Sequence, residues 1–160
     1  MNVDVSMSNL RLDTVFTMQA GSCLVKGGQK ANPAIYNACL DIAERYLCYY
    51  WRDGNEVLHV GSVSDDYRHK KNNLWGRVSN YLQNHRDGAT NKNVFDDVNR
   101  LLDAHCVEFG VFRFDSCSIG KQTFTYTQCC HAPGISFFIR MIEDVLIGFY
   151  RAHQQCKWNR

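Results

Sequence analysis

A chain of 160 residues, 45% of them hydrophobic and 21% charged, is long enough and apolar enough to fold as one domain with its own core. The net charge of +2 excludes a polycation, so a nucleic-acid site would have to be a local basic patch, such as residues 68–71 or the pair Lys157 and Arg160. No run of about 18 apolar residues is present, which predicts a protein that does not enter a membrane.

Eight cysteines are the least ordinary part of the composition. The N-terminal residues lack the apolar core of a secretion signal, which predicts a cytoplasmic protein with reduced thiols. The residues that raise the question of zinc are Cys106, Cys117, Cys129, Cys130 and His131. They contain no C-x-x-C pair, and two adjacent cysteines are poor tetrahedral ligands, so we interpret the thiols as small buried hydrophobic groups. A zinc-binding interaction domain remains the alternative.

The first 45 residues are weakly patterned. A strand is indicated at 14–18, and Asn32 followed by Pro33 is typical of a helix start, a cap and then a first-turn proline. That helix is expected to extend to the end of the segment. We interpret residues 1–45 as an N-terminal extension or arm packed on a core formed by residues 46–160.

The rest of the chain alternates between strand and helix patterns. The hydrophobic spacing predicts strands at 46–52, 56–60, 107–114 and 122–128, and helices at 73–84, 93–104 and 136–153. Together these elements predict an α+β fold (mixed α/β), with a small, mostly antiparallel sheet flanked by helices.

The hairpin at residues 46–60 brings aromatic side chains next to a histidine, and its loop length decides which of them. A three-residue loop, Asp-Gly-Asn, would place Tyr49 opposite His59 on one face of the sheet. A two-residue Asp-Gly loop would place Cys48 opposite His59 instead and bring Tyr50 to that face. We favour the first loop because asparagine tolerates the left-handed backbone that it needs, but the choice among the three residues stays open.

Two charged residues lie beside apolar helix faces. Glu143 shares a stripe with Ile139 and Leu146, where a carboxylate is costly unless a divalent metal, a buried arginine or a tyrosine hydroxyl satisfies it. Arg77 flanks the apolar face of its helix beside Tyr81. Most such arginines extend to solvent, but one that is fixed by packing can hold a phosphate oxygen with its planar guanidinium.

Taken together, these residues resemble the GIY-YIG nuclease family over about residues 46–160. The resemblance implies that the small, mostly antiparallel sheet is central and has three strands. The chain departs from the family pattern at Leu47, where the first glycine is expected, and at His59, where the tyrosine of the second signature is expected. The first signature falls on residues 47–49 (Leu-Cys-Tyr), the second on residues 59–65 (His-Val-Gly-Ser-Val-Ser-Asp), the arginine helix on residues 77–81, the metal-binding glutamate on Glu143 and a terminal asparagine on Asn159.

The resemblance implies a divalent-metal-dependent endonuclease that cuts double-stranded DNA. Two types agree with it, a small restriction-type enzyme, which would be site-specific, and a phage-type enzyme. Glu143 would hold one Mg²⁺ or Mn²⁺ ion, and Tyr49 would take the proton of the attacking water. Arg77 would stabilise charge on the phosphate, and His59 would polarise the water or contact the leaving oxygen. Further substrate contacts are implied at Gly61, Ser62, Lys70, Lys71, Tyr81 and Asn159.

One active site per chain implies a homodimer or successive nicks for cutting both DNA strands. The departures at Leu47 and His59 favour an alternative, a catalytically impaired nucleic-acid-binding module of the same fold. Such a module would bind DNA without cutting it.

Overall fold

The computed structural model describes residues 4–64, 73–86, 88–131 and 136–159. Within these residues the chain alternates between short strands and helices and ends on a long helix followed by a short segment. The elements are β1 (Val5–Ser8), β2 (Arg11–Met18), α1 (Pro33–Leu40), β3 (Leu47–Asp53), β4 (Glu56–Val63), α2 (Asn73–Tyr81), α3 (Thr90–Leu102), β5 (Val107–Arg113), β6 (Ser116–Ile119), β7 (Gln122–Thr125), α4 (Tyr126–His131) and α5 (Ser136–Ala152).

Two antiparallel sheets organise the molecule, which confirms the α+β class. The larger sheet has the strand order β2-β5-β3-β4, and the smaller one has the order β1-β6-β7. The prediction of three strands in the central sheet is wrong, because β2 pairs along the whole of β5 and adds a fourth. No helix in the described parts of the chain is long and apolar enough to cross a lipid bilayer.

Residues 1–45, predicted to be an arm, contribute β1 and β2 to the two sheets and α1 to the packing on the larger one. The helix start is confirmed, since α1 begins at Pro33 directly after its N-cap residue Asn32. The Asn32 side chain does not cap the helix, however, but donates to the Val25 carbonyl at 2.8 Å. The helix ends at Leu40 rather than at residue 45, and the backbone N–H of Tyr46 already donates to the Cys130 carbonyl.

The central strand β3 divides the core into two layers. Strand side chains alternate between faces, so Leu47, Tyr49 and Trp51 pack with α1, α2 and α3 on one side of the sheet. Cys48 and Tyr50 pack with α4 and α5 on the other side. Because helices cover both faces, all five consecutive side chains are buried.

The outer edge of β4 is partly covered by the segment that follows α5. Backbone N–H groups of Cys156 and Trp158 donate to the carbonyls of Val57 and Leu58 at 2.8 and 2.9 Å. The Asn159 side chain then bonds both backbone groups of Val60, with its Oδ1 accepting and its Nδ2 donating at 2.8 Å. A cleft opens at the residues of β4 that follow Val60.

All eight cysteines are free, and six of them are buried. Burial raises the pKa of the Cys39 and Cys130 thiols to about 12 and that of Cys117 and Cys156 to about 11. These thiols are therefore protonated at neutral pH and pack as small hydrophobic groups, as interpreted from the sequence. Among the described residues, no group of three or more histidine, cysteine or acidic side chains is placed to hold a metal.

Candidate active site

A cleft of about 530 Å³ lies at the edge of β4, where α2 approaches from one face of the larger sheet and α5 from the other. Strands β3 and β4 form its floor and the start of α3 also lines it, so residues from five separate elements meet in it. Seven of the residues predicted from the sequence line this cleft, namely Tyr49, His59, Gly61, Ser62, Arg77, Tyr81 and Glu143. The remaining lining residues are Ser64, Thr90, Asn91, Arg140 and Asp144.

The hairpin register differs from both loops considered from the sequence. Asp53 pairs with Glu56, which leaves a two-residue Gly-Asn loop, and an irregularity after Trp51 shifts the pairing by one residue. Trp51 rather than Tyr49 therefore lies opposite His59. The prediction that Tyr49 directly opposes His59 is therefore wrong. The bulge that shifts the register could not be predicted from the turn sequence alone.

Tyr49 lies opposite Gly61, and this pairing brings its ring into the cleft. A Cβ atom at Gly61 would lie only 2.8 Å from Cε2 of the Tyr49 ring and nearer still to Cζ and the hydroxyl oxygen. Glycine is thus required for the ring to cross β4. His59 remains a diagonal neighbour on the same face, with ring centroids 6.2 Å apart.

The choice among Tyr49, Tyr50 and Cys48 is decided by the alternation of β3. Tyr50 and Cys48 belong to the opposite core layer, where Cys48 Sγ donates to the Ile139 carbonyl at 3.5 Å. Tyr49 is the member of the three that lines the cleft.

The Tyr49 hydroxyl lies 2.5 Å from the hydroxyl of Tyr81 on α2. Burial raises the pKa of Tyr49 well above its usual value, and the adjacent Tyr81 hydroxyl raises it further. The positive charge of Arg77, one helical turn before Tyr81, acts in the opposite direction. In the free protein Tyr49 is therefore a neutral phenol that shares a hydrogen bond with Tyr81.

Glu143 faces the cleft from α5 and accepts a hydrogen bond from the Ser62 hydroxyl. Burial raises the pKa of Glu143, and the neighbouring Asp144 carboxylate acts in the same direction. The Ser62 hydroxyl and the charges of Arg77 and Arg140 lower it. A half-buried carboxylate beside a second one is a group that bound positive charge would stabilise.

The donor atoms on the α5 side of the cleft fit a hard divalent cation. Carboxylate oxygens of Glu143 and Asp144 and hydroxyl oxygens of Ser62 and Ser64 line the same space. Mg²⁺ and Mn²⁺ prefer oxygen ligands and need few protein groups because they keep several bound waters, whereas zinc sites favour nitrogen and sulfur.

His59 forms a buried part of the cleft wall and is only 7% exposed. Burial lowers its pKa to about 4, opposed by a hydrogen bond with the Trp158 backbone. The imidazole is therefore neutral at neutral pH. Its Nδ1 atom is buried and has no hydrogen-bond partner among the residues that the structure describes.

Two guanidinium groups reach the cleft from opposite sides. Arg77 comes from α2, and Arg140 comes from α5, where its Nε donates to the Ser64 hydroxyl at 3.3 Å. The sequence did not mark Arg140 or Asp144 as site residues, because such a pair one turn apart also suits a solvated helix surface. Their position one turn before and one residue after Glu143 was the available signal.

The remaining predicted contacts are Asn159, Lys70 and Lys71, and of the described residues among them Asn159 does not line the cleft. Asn159 uses its side chain on the backbone of Val60. Lys70 and Lys71 lie outside the described residues, as do the rest of the basic patch at 68–71 and Arg160. Lys157 pairs with Glu56 at 2.7 Å on the surface.

Comparison of the chain with family models, with curated proteins and with solved structures gave no match. The resemblance to the GIY-YIG family therefore stays a prediction from the residues. Function has to be inferred from the chemistry and geometry of the cleft.

Proposed function

We propose that the chain is a divalent-metal-dependent endonuclease of the GIY-YIG type that hydrolyses phosphodiester bonds in double-stranded DNA. The observation that carries the proposal is the convergence of Tyr49, Arg77 and Glu143, from three separate elements, on one cleft. Metal-dependent hydrolysis of a phosphodiester uses a group that handles the proton of water, positive charge beside the phosphate oxygens and an anchored metal ion. These three side chains supply one part each.

Glu143 is the principal metal-holding residue of the proposal, with Asp144 beside it and the Ser62 hydroxyl fixing its orientation. A bound Mg²⁺ or Mn²⁺ ion supplies positive charge for a phosphate oxygen and favours ionised oxygen nucleophiles. The hydrogen bond from Ser62 engages one carboxylate oxygen of Glu143, and the other oxygen would be the one to bind the ion.

Arg77 and Arg140 bind the phosphate in the proposal. The planar guanidinium donates two parallel hydrogen bonds to two oxygens of one phosphate, which fixes its orientation as well as its position. Because the two arginines reach the cleft from α2 and α5, they act on different oxygens. Thr90 and Asn91, at the positive end of the α3 dipole, line the same space and favour an anion there.

Tyr49 and His59 are the candidates for proton transfer, and both are held neutral in the free protein. The neutral imidazole of His59 can accept a proton at its unpartnered Nδ1. Tyr49 can act as a base only when positive charge in the cleft offsets its burial, and Arg77 already acts in that direction. Tyr81 would hold the Tyr49 hydroxyl in place through their hydrogen bond.

The test is a nicking assay on supercoiled plasmid with Mg²⁺, repeated with EDTA, using the wild type and Glu143→Gln. Glu56→Gln is the matched control, since Glu56 lies in a surface ion pair with Lys157. Nicking that is lost with EDTA and in Glu143→Gln but kept in Glu56→Gln supports the proposal. Nicking by Glu143→Gln at the wild-type rate contradicts it. Because the proposal places one active site on each chain, double-strand cuts should appear after nicks or should require a homodimer.

A second candidate is a nucleic-acid-binding module that has lost catalysis. The neutral state of both Tyr49 and His59 favours it, because neither side chain is a strong base in the free protein. A gel mobility shift on the same DNA separates the two functions. Retained binding by a wild-type protein that never nicks supports the module.

A further inference from the structure

A second cleft, of about 680 Å³, lies on the other side of α2. Arg77 and Tyr81 line the first cleft, whereas Trp75, Ser79 and Leu82 line the second. The helix is thus a common wall, and the two clefts are separated by about one helix diameter, roughly 10–12 Å.

The loop that forms the opposite wall is held in place by hydrogen bonds. The Gly27 N–H donates to the Leu82 carbonyl at 2.9 Å, and the Gly28 carbonyl accepts from the backbone of Ala31 and Asn32 at 3.2 Å each. Gly27 has a φ of +140°, and a Cβ there would lie 2.8 Å from that of Ala31. This wall therefore depends on glycine at position 27 and keeps its shape without a ligand.

The floor of the second cleft is aromatic. Tyr36 and Trp75 pack edge to face, with ring centroids 5.2 Å apart and an interplanar angle of 82°. Trp75 is buried, but Tyr36 is only half-buried and presents part of its ring to the cleft. A planar ring is the kind of group that stacks on such a surface.

The rim of the second cleft is polar and carries one positive charge. Exposed carboxamides of Gln29, Gln83 and Asn84 surround the opening and make no side-chain hydrogen bond within the described residues. The Lys26 ammonium group lies over the Phe95 ring, 5.0 Å from its centroid, and donates to the backbone carbonyl of Gln83 at 3.4 Å. These two contacts fix the ammonium group at the rim. The donors and acceptors of three amides suit the edge of a heteroaromatic base, and the ammonium group suits a phosphate.

We propose that the second cleft binds one nucleotide of the nucleic-acid substrate, with its base on Tyr36, its base edge at the carboxamides and its phosphate at Lys26. A base can enter such a cleft only when it has left the duplex, so the nucleotide is single-stranded or flipped. The inference rests on the proposed function for the identity of the polymer. It adds a substrate contact one helix diameter from the phosphate site.

The test measures binding of 5′-dAMP to the full chain in the presence of EDTA. The readout is the change in the amide NMR signals of Gly27 and its neighbours. Gly28→Leu is the main variant, since a Cβ at Gly28 meets open space and its leucine side chain would fill the cleft without straining the backbone. Tyr36→Leu removes the stacking surface. Gly148→Leu is the matched control, because a Cβ there also meets open space and Gly148 lies outside both clefts.

We expect dAMP to shift the Gly27 signal and to bind about 5- to 150-fold more weakly to Tyr36→Leu, the range that losing one stacked base gives. Gly28→Leu should weaken binding to a similar extent, because its side chain would occupy the space of the base. Binding should be unchanged in Gly148→Leu. Deoxyadenosine should shift the same signals, more weakly than dAMP.

Three results would overturn the inference. The first is dAMP binding that leaves the Gly27 signal unchanged, the second is equal affinity in Gly28→Leu and Gly148→Leu, and the third is a full response to inorganic phosphate with none to deoxyadenosine. A wild-type protein that binds dAMP but does not nick DNA would count against the proposed endonuclease activity and not against the second cleft. Intact nicking that depends on Glu143, without dAMP binding, would count against the second cleft alone.

Discussion

Two adjacent tyrosines on β3 make the same contact on opposite faces of the sheet and end in different surroundings. Tyr49 lies over Gly61 of the edge strand β4, and Tyr50 lies over Gly110 of the interior strand β5. Either glycine, given a Cβ, would collide with the ring above it. Tyr49, over the edge strand, lines a cleft, whereas Tyr50, over the interior strand, is enclosed in the core. Position in the sheet, rather than residue type, decides which tyrosine can meet a ligand.

The neighbours of the two hydroxyl groups carry the same lesson. Tyr49 is hydrogen-bonded to Tyr81 and lies within the influence of Arg77, both of which line the cleft. The Tyr50 ring instead packs on Phe112, with centroids 5.1 Å apart. Under the proposed function, Tyr49 belongs to the reaction and Tyr50 to the scaffold.

The largest expected effect separates the two tyrosines by activity. Tyr49→Phe should lower the nicking rate by about 10²–10⁴-fold, the range for losing a proton-transfer group, while Tyr50→Phe should keep it within a few-fold. Initial nicking rates at saturating Mg²⁺ give the comparison, and circular dichroism checks that both variants fold. Equal rates in the two variants would contradict the assignment of Tyr49.

A pH-dependent stability effect is expected from His59, which lies on the Tyr49 face. Its pKa is about 4 in the folded protein against 6.5 ordinarily, so the unfolded chain binds more protons between these values. The contribution of His59 to the free energy of unfolding is therefore fully present above pH 6.5. It is lost as the pH falls to 4, and the free energy of unfolding decreases by about 3 kcal/mol in total.

Urea unfolding between pH 4 and 7 measures this loss as the difference between the wild type and His59→Phe. Taking the difference removes contributions shared by both proteins, such as that of Glu44, whose lowered pKa also favours folding at higher pH. His105→Phe is the control because His105 is exposed. A wild-type slope that His59→Phe leaves intact would show that another group titrates.

The two glycines should differ in stability. Gly110→Ala should cost about 3 kcal/mol or more, since its Cβ would meet the Asp13 backbone carbonyl at 2.5 Å as well as Tyr50. Gly61→Ala should cost roughly 1–2 kcal/mol, because the three atoms nearest to its Cβ all belong to the Tyr49 side chain, and we expect that ring to shift toward the cleft. Urea midpoints measure both. A larger loss in Gly61→Ala would mean that the edge is as tightly packed as the interior.

The smallest expected effect tests how the edge of β4 is held. Asn159→Ala removes two hydrogen bonds to Val60 and should cost about 1–2 kcal/mol, with nicking retained. Asn93→Ala on α3 is a control asparagine outside both clefts. Loss of nicking in Asn159→Ala at unchanged stability would instead return Asn159 to the substrate contacts predicted from the sequence.

Much of the framework could be predicted from the sequence, because periodic apolar patterns report directly on local structure. The hairpin, the helix that carries Arg77 and the helix that carries Glu143 lie close to their expected positions. Seven of the predicted site residues share one cleft because those elements were placed correctly. Strand β2 was only partly indicated, since an edge strand with exposed polar residues has little apolar pattern.

Features that depend on tertiary pairing could not be predicted. The shift after Trp51 changes the partner of Tyr49, yet no residue type marks it. The resemblance implied a substrate contact at Asn159. Its actual use, on the backbone of Val60, could not be predicted because it depends on how the chain returns to the sheet. Arg140 resembled a surface charge, and only the approach of α5 to β4 makes it part of the cleft.

The carboxamide of Asn159, which both donates to and accepts from Val60, imitates one residue of an additional strand. Together with the backbone of Cys156 and Trp158, it occupies hydrogen-bonding groups that another polypeptide would otherwise find vacant. Removing these residues would lengthen the unpaired edge of β4, and unpaired strand edges promote intermolecular strand pairing and aggregation. We therefore expect that truncation of this segment would promote self-association through β4.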